Sequence, residues 1–380
     1  MYRILVYGMT ENRGGIEQVI INFYKNMPSN KIHFDFLIDS GNKIAFSDSL
    51  QKDSKVFYVP SRSKHPLNYI KTVKNFFKKN AKNYDCFWVN KNDLANIDYL
   101  QYAKKCGIPR IILHSHNTRV LDSGMKAKLK IQLHNWHKKK LSKFVTDYWA
   151  CSMDAAKWFY PDDILNKVVI VKNAIDMDKT AFNIKKREKI RQQYNLNNYF
   201  IVGNVGRLDY QKNQLFALKV LKELVKQKQN VKMVFVGTGK DEAFLKSEAK
   251  KMNLSEKVIF AGMQNDMQAW YSSFDCFIFP SLFEGLGVAA IEAQANGMWV
   301  IAAKDNVPMD AKINDNFIFF DLKLGPKIWA EKILSFDNKL FRVPENIIKR
   351  NFDNTGYNLN LEKDKVLNLF LKASGSSNNE

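Results

Sequence analysis

The sequence predicts an α/β protein made of two doubly wound parallel-sheet halves, and three observations carry that prediction. Short apolar runs alternate with amphipathic stretches along the whole chain. The alternation restarts near Tyr199, after a join at Lys172–Lys186. In the second half, two strand-like runs end in glycine turns that lead straight into helices. With 380 residues, 46% hydrophobic and 26% charged, the chain is neither disordered nor collagen-like and can fill two cores.

In the first half, strands are expected at 2–7, 33–38, 56–59, 85–89, 110–114 and 147–151. Helical patterns fall between them at Gly15–Met27, Leu67–Lys79, Leu94–Cys106 and Met125–Phe144. The second half reads as strand Tyr199–Val205, helix Gln211–Lys228, strand Lys232–Val236 and helix Lys240–Met252. Strands Lys257–Ala261, Cys276–Phe279 and Val300–Ala302 extend the sheet, with helices near 264–272 and 286–296. Leu359–Ala373 reads as a terminal helix and Ser374–Glu380 as a frayed tail. The expected domains are 1–172, 173–350 and a terminal segment 351–380 that packs back on the first. Two such sheets facing each other across a cleft would bind a ligand at the carboxyl ends of their strands.

Composition excludes several classes. Cys86, Cys106, Cys151 and Cys276 are far apart without a CxxC pair, which fits a reduced cytosolic protein better than a disulfide framework or zinc cage. Tyr2–Val6 runs directly into Gly8 and suits a first strand better than a signal peptide. No stretch approaches the roughly 20 apolar residues that span a bilayer. The net charge is +21, and residues 1–172 carry 29 basic and 14 acidic side chains, or +15 of it. Such a field draws an anionic partner: nucleic acid, anionic lipid or a phosphorylated substrate.

Pro280–Gly297 holds the strongest local pattern. The strand Cys276–Phe279 ends in a loop with Gly285 and Gly287, and a helix rich in small residues follows at once. Free backbone N–H groups and the helix dipole at such a start hold phosphate. Glu284 precedes that helix, and Glu292 lies eight residues on. In Gly203–Asn213 a second strand ends at Gly206, with Arg207 and Lys212 bracketing the turn. Two cations at a sheet's carboxyl edge suit a diphosphate, the arginine as a fork and the lysine as a point charge.

These residues carry a family resemblance. Gly206-Arg207-Leu208 with Lys212-Asn213, and Glu284-Gly285-Leu286-Gly287 with Glu292-Ala293, resemble the retaining glycosyltransferases of family four, whose fold is GT-B. Arg3–Val6 with Gly14-Gly15-Ile16-Glu17, and Asn173-Ala174-Ile175-Asp176 at the join, extend the likeness over roughly residues 1–350, toward bacterial capsular and exopolysaccharide enzymes. The resemblance implies that Arg207 and Lys212 neutralise a donor diphosphate beside Gly206. It implies that Glu284 binds hydroxyls of the transferred sugar and Glu292 those of the ribose. Backbone N–H groups around Gly285, at Leu286, Gly287 and Val288, would reach the phosphates. The base would lie near Gly262-Met263, and Gly15 would approach from the opposite domain. Ala174, Trp299 and Asp310 depart from the family pattern at the join and the cleft wall.

On the acceptor side, Arg110–Arg119 runs from a strand into a polar loop. In the resemblance a histidine at its end faces the donor sugar; His116 is preferred, with His114 the competitor. Three further patterns read as decoys. His134 and His137 lie three apart without an acidic or cysteine companion, so they make a poor metal pair. Asp176-Met177-Asp178 is a formal Asp-x-Asp that falls in the join. Gly237-Thr238-Gly239 lacks the third glycine of a dinucleotide fingerprint, where Glu242 stands.

Two basic amphipathic helices, Leu67–Lys82 and Met125–Phe144, could lie on the anionic inner membrane surface. The expected activity is therefore retaining, metal-independent transfer of a hexose or N-acetylhexosamine without a cofactor. The donor would be a nucleotide-sugar, UDP-linked on family habit. The acceptor would be a lipid-linked or growing glycan of a surface polysaccharide, met at the inner face of the cell membrane. A GT-B-like sugar-nucleotide epimerase and a basic nucleic-acid binder are the alternatives. The second has no RNP, helix-turn-helix or finger pattern behind it.

Overall fold

The computed structural model describes residues 1–12, 14–39, 43–120, 124–336 and 342–372. The chain divides into two compact units, Met1–Ala174 with Leu359–Glu380, and Ile175–Asn358.

The first unit holds β1 (Tyr2–Tyr7), α1 (Gly15–Asn26), β2 (Ile32–Ile38), β3 (Val56–Tyr58), α2 (Pro66–Asn80) and β4 (Cys86–Lys91). It continues with α3 (Asp98–Lys105), β5 (Arg110–Ser115), α4 (Gly124–Lys138), β6 (Asp147–Ala150), α5 (Met153–Phe159) and β7 (Val169–Ile170). Its seven strands are parallel in the order β3-β2-β1-β4-β5-β6-β7.

The second unit holds α6 (Ile184–Gln193), β8 (Phe200–Val205), α7 (Gln214–Gln227), β9 (Val231–Val236), α8 (Glu242–Lys251), β10 (Val258–Gly262) and α9 (Met267–Ser273). Then come β11 (Cys276–Phe279), α10 (Val288–Ala295), β12 (Trp299–Ala303), β13 (Phe317–Phe320), α11 (Gly325–Leu334) and α12 (Glu345–Thr355). The sheet order is β10-β9-β8-β11-β12-β13, again parallel. The terminal helix α13 (Leu359–Leu371) belongs to the first unit.

Both faces of the second sheet are covered, which is why its strands are continuous apolar runs. Phe200, Val202, Met233, Phe235 and Ile278 pack on one face with Leu218 and Trp329. Their strand neighbours Ile201, Val234, Phe277 and Phe279 pack on the other with Ala290 and Ala293 of α10. The small residues of α10 bring its backbone close to the sheet. In the first unit, Phe370 of α13 sits among Trp88, Trp149 and Phe34, with ring centroids 5.3, 5.1 and 6.1 Å away. Arg110 donates through Nη1 to the carbonyls of Leu369, Phe370 and Lys372, capping the last turn of α13, and pairs with Asp147.

Several boundaries differ from expectation for local reasons. The helix expected from Leu94 starts at Asp98, because Asp93 and Asn96 accept backbone N–H groups two residues on and hold 93–97 in turns. The helix expected from Gln211 starts at Gln214. Asp209 accepts from the Lys212 N–H and caps a short 3₁₀ turn, Tyr210–Lys212, and Asn213 then takes a left-handed conformation. The helix expected over Met125–Phe144 ends at Lys138, with a 3₁₀ turn at Leu141–Lys143. The elements α5, α6, α11, α12, β7 and β13 are not among the expected ones. β7 has two residues, and α6 offers only two apolar residues, Ile184 and Ile190, among ten, so neither shows a period. The expected frayed tail lies outside the described residues.

Candidate functional site

The strands of the second sheet run parallel, so the segments after β8, β9, β10 and β11 all emerge at its carboxyl edge. Gly206 ends β8 with φ +151°, and a side chain there would stand 3.1 Å from Lys212 Cε. Glycine thus lets the lysine stem lie along the turn. Leu208 donates its N–H to Thr238 O at 3.0 Å, so the Gly237–Gly239 segment supports this turn from behind. That backing role accounts for a glycine pair that lacks the dinucleotide fingerprint.

Three hydrogen bonds join this turn to the loop after β11. Leu282 N donates to Gln211 O at 2.8 Å, Gln211 Nε2 to Phe283 O at 3.0 Å and Asn213 Nδ2 to Pro280 O at 3.0 Å. The joined loops bring Lys212 Nζ to 2.6 Å from Glu284 Oε1, both side chains largely buried. The ammonium also lies 4.9 Å from the centre of the Phe279 ring. The Glu284 N–H donates to Asn306 O at 2.9 Å.

Gly287 then turns the chain with φ +91°, where a Cβ would meet the Phe279 ring at 2.9 Å. It is the N-cap of α10. The N–H groups at the start of such a helix, here those of Val288 and Ala289, have no intrahelical acceptor and form a positive pole. Leu286 is buried beneath the turn. Gly206, Lys212, Glu284, Gly285, Leu286, Gly287 and Val288 are thus brought together by two strand–turn–helix units.

Arg207 is looser. Its side chain is 46% exposed, reaches Gln211 Oε1 at 3.3 Å and stands 3.6 Å from Asp209. Met263 follows β10 and is exposed. Glu292 lies two turns into α10, where its Oε2 accepts from the buried Tyr271 hydroxyl at 2.7 Å. Burial pushes the Glu292 carboxyl up to about 7, against the opposing effect of that hydrogen bond.

Gly15 and His116 belong to the first unit. Gly15 is the first residue of α1, and the space where its side chain would stand is open. β5 ends at Ser115, so His114 is on the strand and His116 just past it, with ring centroids 4.1 Å apart. His116 N donates to Lys91 O, and its ring Nε2 meets Asn90 Oδ1 at 2.8 Å. Asn90 Nδ2 points to Tyr7 O at 3.4 Å, which makes Oδ1 the acceptor and gives His116 Nε2 the proton. Among the described residues His114 has no hydrogen-bond partner for either ring nitrogen, and it packs against Trp88 and Trp149. Burial lowers both imidazoles, His116 to about 3.

The decoys have structural tasks. His134 accepts from Leu94 N at 3.1 Å and meets Trp158 O at 3.0 Å, while His137 meets Leu94 O at 2.6 Å, so both tie α4 to its neighbours. Asp176 caps its own turn through the Lys179 N–H and pairs with the Lys179 ammonium. Among the described residues no group of three or more His, Cys, Asp or Glu could hold a metal ion. No described helix is long and apolar enough to cross a membrane.

The two basic helices part company here. The stripe expected on α2 is mostly core: Val73, Phe76 and Phe77 are buried, as is Tyr69, leaving Leu67 and Ile70 exposed. This corrects the expectation of a free apolar face on Leu67–Lys82. On α4 only His134 is buried. Met125 is 86% and Trp136 55% exposed, with Leu129 and Ile131 also exposed, and Lys140 Nζ lies 3.3 Å over the Trp136 ring.

Sequence reasoning missed Asn90, Gln211 and Tyr271. Gln211 lay within a quoted motif, but its bridging bond crosses 72 residues of chain. Asn90 and Tyr271 show only as a polar strand end and a helical aromatic, and the sequence around them carries no further signal.

Residues 186–338 match the family of glycosyl transferases group 1. The chain is 28% identical over 367 residues to a putative glycosyltransferase, EpsF, of Bacillus subtilis, spanning 94% of each. It is 24% identical to the UDP-Gal:alpha-D-GlcNAc-diphosphoundecaprenol alpha-1,3-galactosyltransferase of Escherichia coli, over 94% of this chain and 93% of that one. The structure of Anabaena HepE in complex with UDP and glucose superposes with a TM-score of 0.77, covering 98% of this chain and 100% of that one at 17% identity. The two parallel-sheet units are therefore those of a GT-B glycosyltransferase. The group 1 match fills most of the second unit, and these relatives support the likeness to family-four glycosyltransferases. Neither the epimerase nor the nucleic-acid reading is favoured by these relatives.

Proposed function

We propose that this chain transfers a hexose or N-acetylhexosamine, with retention, from a UDP-sugar to a lipid-linked or growing glycan in surface polysaccharide synthesis. The observation that carries the reading is the 2.6 Å Lys212–Glu284 contact at the start of α10. It sets a cation for a diphosphate beside a carboxylate for sugar hydroxyls, next to free helix N–H groups. The names of the relatives support the rest. EpsF is a putative glycosyltransferase, the Escherichia coli enzyme is a UDP-Gal transferase to a diphosphoundecaprenol-linked sugar, and HepE is seen with UDP and glucose. A protein named CapJ of Staphylococcus aureus, 31% identical over 218 residues, points the same way.

In this reading the bond from the anomeric carbon to the diphosphate breaks, and the acceptor hydroxyl forms its bond on the same face. The hydroxyl proton passes to the departing phosphate oxygen. Lys212, Arg207 and the N–H groups of Leu286, Gly287 and Val288, beside Gly206 and Gly285, stabilise the leaving charge in a preorganised site. Glu284 holds the sugar hydroxyls and Glu292 the ribose, while Met263 lies by the base. Gly15 meets the donor phosphates or sugar, and His116 meets the sugar. With two cations and a helix start on the leaving group, the mechanism asks for no metal.

Binding to the inner face of the cell membrane completes the reading. The exposed Met125, Leu129 and Trp136 among Lys126, Lys128 and Lys130 support α4 as the contact, with the exposed end of α2 at Leu67 and Ile70 as a lesser one.

The test is a nucleotide-sugar panel in EDTA, scored for UDP or GDP release with and without membrane lipid extract, with the product's anomeric configuration read by NMR. The expected result is release from one UDP-sugar that needs the extract, survives EDTA and gives the donor's own configuration. No release from any donor with extract present would refute the reading.

A further inference from the structure

Tyr271 and Glu292 form a pair on neighbouring helices that the sequence does not announce. Tyr271 is fully buried on α9, its ring edge-on to Phe274 and tilted against Phe277 at centroid distances of 6.3 and 6.0 Å. Its hydroxyl lies 2.7 Å from Glu292 Oε2 and 3.3 Å from Ala289 O. A phenol has one proton to give, and the short contact to a carboxylate takes it. Glu292 Oε1 makes no hydrogen bond among the described residues, and the residue is only partly buried. One oxygen is thus pinned by the protein and the other is left to accept from a ligand.

We infer that Tyr271 is a positioning residue for nucleotide binding: it holds Oε2 of Glu292 and so presents Oε1 to the ribose hydroxyls. The inference rests on the ribose role proposed above for Glu292. The hydroxyl also favours the ionised form of that carboxyl, opposing the burial that pushes it up to about 7. Tyr271 is the one titratable residue of α9, and β11 and β12 offer only the Cys276 thiol. The other titratable groups packed against α10 are Asp310 of the following turn and Glu345, Lys349, Arg350 and Asp353 of α12. Removing the hydroxyl therefore raises Glu292 further. More of it is then neutral near pH 7, with one oxygen taken by its own proton.

The experiment titrates UDP and 2′,3′-dideoxy-UDP into the full chain by calorimetry at pH 7 and pH 9. The variants are Tyr271→Phe, Glu292→Gln and the double substitution. Tyr271→Phe is expected to weaken UDP about tenfold at pH 7, as loss of a hydrogen bond to a charged group does. The deficit should shrink at pH 9, vanish for the dideoxy nucleotide and add nothing on the Glu292→Gln background. A deficit equal at both pH values, or equal for both nucleotides, would mark a merely structural residue and overturn the inference. Normal UDP binding by Tyr271→Phe with weakened binding by Glu292→Gln overturns the inference alone. Normal binding by Glu292→Gln overturns the ribose reading beneath it. Should Tyr271→Phe not fold, Tyr271→3-fluorotyrosine keeps the ring and strengthens the donor. It should shift the acid limb of UDP binding to lower pH, and an unmoved limb overturns the inference.

Discussion

The two units place their polar groups at strand ends in different ways. In the second unit each cluster comes from one strand, its turn and the helix that follows, and the two turns lie side by side because β8 and β11 are neighbours. In the first unit, His116 depends on Asn90, 26 residues earlier on β4, and Asn90 on Tyr7, 83 residues earlier still on β1. A site written in contiguous segments survives as a motif. One assembled across adjacent strands leaves single polar residues that look like any other.

The sharpest way to break this comparison is to remove the charge at the centre of the contiguous site. Lys212→Ala should lower kcat by about 100-fold or more, the scale seen for deleting one preorganised donor. The chain should stay folded with a lowered melting temperature, since the largely buried Glu284 carboxylate loses the ammonium 2.6 Å away. Arg207→Ala should cost less, about tenfold, because the guanidinium is half exposed and already faces Asp209. Equal losses for the two cations would remove the distinction between a fixed and a loose one.

The first unit offers a contrast through its histidine pair. A buried imidazole held far below its usual range stays neutral while the unfolded chain takes up a proton. Stability should therefore be intact above about pH 6.5 and fall as the pH drops toward 3. For His116 the loss between pH 7 and pH 5 is about 2 kcal/mol. His116→Phe should flatten the acid side of the melting profile and lower turnover. His114→Phe should flatten it too while leaving turnover unchanged, since neither ring nitrogen has a partner to lose among the described residues. Turnover loss in His114→Phe instead would move the sugar contact to the strand residue.

The smallest expected effect concerns the two basic helices. Trp136→Ser should reduce binding to anionic vesicles several-fold, as loss of one buried aromatic does at an interface. Ile70→Ser on α2 should change it less, because most of that stripe already packs inside the unit. Equal reductions would return both helices to the same standing.

Much of the second unit was legible in the sequence because its physics is local. Glycines at 206 and 287 are demanded by positive φ and close approach, and a buried parallel strand must be an unbroken apolar run. The break at Asp209–Asn213 was not legible, since a capping aspartate and a left-handed asparagine there interrupt a good helical period. Neither was the α2–α4 difference. Both read as apolar stripes among lysines, and only the packing of Phe76 against Phe57 and Phe77 shows which one is inside. Tyr271 hid for the same reason, as an aromatic on a helix reads as core, and it is buried there, hydroxyl included.

The central claim is that the turns after β8 and β11 form a diphosphate site centred on Lys212. It is tested most directly by calorimetric titration of UDP and of uridine into the native chain and into Lys212→Ala. The account predicts that UDP binds the native chain, that Lys212→Ala weakens it at least about tenfold, and that uridine distinguishes the two little. Equal UDP affinity for both proteins would contradict it.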